Sequence, residues 1–202
     1  MRRLGELTRC IRFATVDGGG TSAPRYLNAS VVSELGILLA LSVLFPFMIH
    51  ILPVPDDARL GPRLLPMFYA PLLAALLSRT RSALIVALAA PWLNWLLTTH
   101  PTPPTAVVTM LQLLVFVGSL RLLLAMIGSH WFLAAPAYFA GISAAAVLTT
   151  FAPALIGGRP VLGWAAQSVS VGLPGIAILV FINWLAVRYL PSAPAGGGPQ
   201  AA

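Results

Sequence analysis

The chain has 202 residues, 58% of them hydrophobic and only 8% charged, with a formal net charge of +7. Soluble domains carry roughly 25% charged residues, so this composition and a mean hydropathy of +0.90 exclude a soluble globular domain and point to an integral membrane protein. All twelve basic residues are arginine, and the five acids are Glu6, Asp17, Glu34, Asp56 and Asp57. Beyond Asp57, carboxylate-pair catalysis, carboxylate metal cages and Asp/Glu proton relays are therefore excluded.

Residues 1–29 read as a basic arm that lies in the cytoplasm and is disordered, with the Gly-rich stretch "DGGGTSAPR" as a linker. Its triple glycine follows no strand and precedes no Lys-Ser/Thr pair, so it is not read as a phosphate loop. Cys10 is the single cysteine and cannot form an intramolecular disulfide. The arm has no apolar run of the kind a secretory leader needs, and no cleaved signal peptide is expected.

A membrane domain over residues 30–190 follows, with six spans expected at 31–53, 64–79, 82–99, 105–127, 131–156 and 163–190. Each is read as a helix, because an open strand edge in lipid leaves backbone groups unpaired. The fold class is thus an all-α integral membrane protein, a six-helix transmembrane bundle. The breakers "PVPDDARLGP", "SRTR", "HPTPP", "GSH" and "GGRP" separate the spans, and residues 191–202 form a Gly/Pro/Ala-rich tail expected to be disordered.

In span 2, Pro66 falls in the first turn, where its missing N–H costs little. Pro71 is expected one turn deeper, leaving the Met67 carbonyl without its helical partner. Together the prolines bend the mouth of the helix and present Met67, Phe68 and Tyr69 to a cavity.

Orientation follows from the arginines. With the N-terminus inside, nine arginines (Arg2, Arg3, Arg9, Arg12, Arg25, Arg79, Arg81, Arg121, Arg188) face the cytoplasm and three (Arg59, Arg63, Arg159) face outward. Six spans return the C-terminus to the cytoplasm. On this topology the uncharged polar residues of the spans gather in the outer half, among them Asn94, Thr105, Thr109, Gln112, Trp164, Gln167 and Ser168. Glu34 and Asn183 are the inner-end exceptions. One shared depth suggests an outward-facing pocket; the alternative is interhelical hydrogen bonding that only holds the bundle together.

The blocks "LFPFMIHILP", "LLPMFYAPLLAALL", "APWLNWLLTTHPTPP", "MLQLLVF" and "SVGLPGI", in this order between about residues 36 and 185, resemble the substrate-binding S components of energy-coupling factor (ECF) transporters. The resemblance implies six helices with both termini cytoplasmic, in a bacterial cytoplasmic membrane. It implies capture of a vitamin-like micronutrient from outside and no cofactor in this chain. ATP would be used by two partner ATPase subunits, reached through a transmembrane coupling subunit. The chain departs from the family in carrying Phe68 where His is usual and Gln112 where Glu is usual. That implies a different or more apolar ligand, or a relative that no longer transports.

On this reading the ligand-binding residues are His50, Met67, Phe68, Tyr69, Asn94, Gln112, Trp164 and Gln167. His50, Asn94, Gln112 and Gln167 supply hydrogen bonds, and the aromatic residues supply stacking area. The outer loop acts as a lid through Asp57, Arg59 and Arg63. In the family, small residues on the first helix pack against the coupling subunit, and Gly36 and Ala40 have that spacing here. A second reading is a non-transporting scaffold that reuses the bundle and fills its outer half with side chains. A third is an intramembrane enzyme, for which His50, His100 and His130 are the only candidate bases; the chain is expected not to be an enzyme.

Overall fold

A computed structural model of the chain describes residues 29–51 and 60–189, with the backbone alone at residues 29, 30 and 50. The expected arm up to residue 28, the tail, Asp57 and Arg59 lie outside the described residues. The described residues are helical, without a strand. In chain order they form α1 (Ala29–Ile51), α2 (Leu60–Leu64), a 3-10 turn (Pro66–Phe68), α3 (Tyr69–Leu77), α4 (Thr80–Thr98), α5 (Pro103–Ile127) and α6 (Ala134–Phe151). A second 3-10 turn (Pro153–Ile156) leads into α7 (Val161–Tyr189).

Five of these helices, α1, α4, α5, α6 and α7, are long and apolar enough to cross a membrane. Their outer faces carry large apolar side chains such as Leu96, Leu97, Met126, Phe151 and Leu162, all exposed. Such an exterior suits hydrocarbon, where helices gain little from hiding apolar surface and associate by close packing and hydrogen bonds.

The segment expected as span 2 is not one continuous helix. Pro66 disfavours the right-handed helical region for the residue before it, and Leu65 adopts φ 51°, ψ 44°, the left-handed region. The helix therefore breaks, and α2 ends at Leu64. The Tyr69 hydroxyl donates to the Leu64 carbonyl that the break leaves free. The apolar helical piece Pro66–Leu77 that remains rises about 18 Å at 1.5 Å per residue, against the roughly 30 Å of a hydrocarbon core. Pro71 also stands differently from the expectation. With α3 starting at Tyr69, Pro71 lies in the first turn, where its lack of an N–H breaks no helical bond.

This short helix is central. It packs against α1, α4, α5 and α7, and Ala70, Leu72, Ala74 and Ala75 are fully buried. An apolar face all round suits a helix enclosed over most of its length, with Leu77 at its end left exposed. Around it, α4 lies between α1 and α5, and α6 lies between α5 and α7, while α2 leans on α7 and α1.

Span 5 is also shorter than expected, because Pro153 follows directly on the end of α6 and the chain turns in 3-10 form over Pro153–Ile156. Gly157 and Gly158, at φ 68° and 70°, complete the turn into α7.

Candidate binding site

Because α3 is shorter than the helices around it, space remains beyond its N-terminal end. A cavity of about 510 Å³ lies there. The turn Pro66–Met67–Phe68 contributes to its wall, as do Pro46 of α1 and Gly61, Pro62 and Leu65 around α2. His100 and Pro101, in the connection between α4 and α5, line it too. Helix α5 contributes Thr105, Val108, Thr109 and Gln112, which share one helical face at spacings of three and four residues. Trp164, Ser168 and Val171 do the same from α7, and Tyr138 and Ile142 close the side formed by α6.

Phe68 is 4% exposed and fixed edge-on between two rings, with centroids 5.3 Å from Phe116 and 5.2 Å from Tyr138. Gln112 sits where α5 and α6 come closest. A Cβ on Gly141 would fall 2.7 Å from the Gln112 carbonyl oxygen, so only glycine allows that approach without displacement. On the α7 side, a Cβ on Gly172 would lie 3.2 Å from the Tyr138 hydroxyl. These two glycines set the depth at which the Gln112 and Tyr138 side chains meet the cavity.

The structure gathers four of the sequence-predicted residues, Met67, Phe68, Gln112 and Trp164, around one space. It places others elsewhere. The Tyr69 ring packs edge-on against Phe45, with centroids 5.6 Å apart, and its hydroxyl is used at the helix break. Asn94 is 1% exposed and donates to the Ser42 carbonyl of α1 at 2.9 Å, outside the cavity lining. Gln167 is exposed on α7 and is not part of the lining, whereas its neighbour Ser168 is. His50 lies in α1, its side chain outside the described set. Arg63 is exposed at the end of α2 and is not part of the lining. Gly36 and Ala40 are both exposed on α1, and nothing lies within 4 Å of where a Gly36 Cβ would be.

Tyr138, Thr105, Thr109 and Ser168 join the lining although none was chosen from sequence as a ligand residue. The α5 pair was legible in the i, i+4, i+7 spacing of Thr105, Thr109 and Gln112. Tyr138 had no such signal, because a lone tyrosine in an apolar run does not reveal which neighbour it faces. Among the described residues no three His, Cys, Asp or Glu side chains cluster as metal ligands would. The arrangement is an apolar and aromatic pocket with a few hydrogen-bonding groups, the composition of a small-molecule site.

No family model, curated protein or solved structure matches the chain.

Proposed function

We propose that the protein is the substrate-binding component of an ECF-type importer, capturing a small vitamin-like molecule from outside the cell. The cavity carries this reading. Its volume of about 510 Å³ lies within the roughly 300–1,000 Å³ of ligand sites, and it joins residues from all the blocks that resemble the S components. The scaffold reading expects side chains to fill the outer half of the bundle, and a cavity of this size favours the binding reading. The exposed Gly36 and Ala40 leave α1 free to meet a coupling subunit. The chain has no nucleotide-binding motif, so ATP hydrolysis belongs to the partner ATPases.

Native mass spectrometry of the protein purified in detergent tests the binding step, and cellular uptake with and without the ATPase module tests the coupling. A retained small molecule whose uptake stops without the module is the expected result. An empty protein, together with no uptake that depends on the chain, would overturn the proposal in favour of a scaffold.

A further inference from the structure

The cavity holds hydrogen-bonding groups that the protein leaves unused. Gln112 is 8% exposed and Tyr138 1%, both line the cavity, and neither side chain has a hydrogen-bond partner among the described residues. Thr109 shares the α5 face of Gln112 and is likewise unpaired. Several helical hydroxyls bond back to their own helix, as Ser78 does to Ala74, Thr98 to Asn94 and Thr150 to Ala146, and so does the cavity-lining Ser168 to Trp164. An amide and two hydroxyls that make no bond within the protein and face one cavity are groups an occupant can pair with. Among the described residues no arginine, aspartate or glutamate lines the space, while His100 does.

Resting on the binding reading above, we infer that the site selects a ring whose edge carries a donor beside an acceptor, such as the N–H and C=O of a cyclic amide. A carboxamide presents one donor and one acceptor side by side. Such an edge pairs with both at once. Phe68 and Trp164 supply apolar and aromatic surface to the rest of the ring, and the Tyr138 and Thr109 hydroxyls take a further polar atom.

Titration calorimetry on the purified full-length chain in nanodiscs tests this with three probes: quinazolin-4-one, its N3-methyl derivative and 4-aminoquinazoline. The methyl group removes the donor and leaves the Gln112 acceptor unpaired, so the parent lactam should bind at least roughly tenfold more tightly. Gln112→Leu should bring the two lactams level. Gln112→Glu, which replaces the amide donor with an acceptor, should shift preference to the amidine edge of 4-aminoquinazoline. A merely structural role for Gln112 would alter stability without reordering the probes. Equal binding of the two lactams, binding of neither, or a preference that survives Gln112→Leu would each overturn the inference. If that happens while native mass spectrometry still finds a retained molecule, the importer reading stands with a different ligand class. Conversely, lactam selectivity without ATPase-dependent uptake would keep the site and remove the importer.

Discussion

Pro46 has no N–H to close the helical hydrogen bond on the Ser42 carbonyl, four residues earlier in α1. Asn94 supplies the missing donor from α4, its Nδ2 lying 2.9 Å from that oxygen. The proline thus creates a bond between helices out of one within a helix, and it also contributes to the cavity wall. Asn94→Leu should cost roughly 1–3 kcal/mol, the range for leaving a buried polar group unpaired. Pro46→Ala returns an N–H to α1, so the same Asn94→Leu change should cost clearly less in that background. Thermal unfolding of the four proteins in detergent measures the coupling, and losses that simply add would refute the link. Sequence alone assigned Asn94 to the ligand because it marks depth in a span and not which neighbour a side chain meets. Asn183 shows the same limit. It stood out as an inner-end polar residue, and only the fold reveals that it donates to the carbonyls of His130 and Trp131, at 3.0 and 2.8 Å, holding the α5–α6 connection.

The broken segment before α3 is positioned by α7. A Cβ on Gly175 would lie 2.7 Å from Leu65 Cγ and 2.8 Å from both the Arg63 oxygen and the Leu64 carbonyl carbon. Two of those three atoms are backbone, so the contact cannot be relieved by turning a side chain. Gly175→Ala should therefore displace α2 and Leu65 from the cavity wall, lowering both the unfolding temperature and the retention of ligand. Gly163, also on α7, has nothing within 4 Å of its Cβ direction, and Gly163→Ala should be neutral or slightly stabilising through helix propensity. If Gly175→Ala unfolds and binds like Gly163→Ala, α7 does not hold the mouth. The block "SVGLPGI" was visible in the sequence, but its partner was not. Hydropathy showed the apolar run from residue 64 to 77 clearly, and both prolines in it were noted. The break itself needed the local conformation of Leu65, which hydropathy cannot register, so a segment divided into α2, a 3-10 turn and α3 was read as one continuous helix.

Across the whole bundle, the cavity and most of the described arginines occupy opposite ends. Arg79 and Arg81 begin α4, and Arg121 donates from the last third of α5 to the Ser78 carbonyl. Arg188 ends α7 with its guanidinium 5.9 Å from the Trp184 and Tyr189 ring centres. Trp and Tyr beside Arg are the residues enriched where a helix leaves the hydrocarbon. The cavity lies at the other end, among His100, Thr105 and Trp164. Arginine-rich connections stay in the cytoplasm, so the cavity should open outward, as capture from outside requires. The separation of these arginines from the uncharged polar residues along the bundle was legible in the sequence because it depends on counting residues between spans and not on side-chain rotation. Cysteine labelling in intact cells, after Cys10→Ser removes the native thiol, tests it directly. Thr102 and Ser129 are both exposed and sit in connections at opposite ends of α5. Thr102→Cys should react with a membrane-impermeant maleimide from outside, and Ser129→Cys only after permeabilisation. The reverse pattern would turn the cavity toward the cytoplasm and make a binding subunit for uptake untenable, even if the pocket still held a ligand.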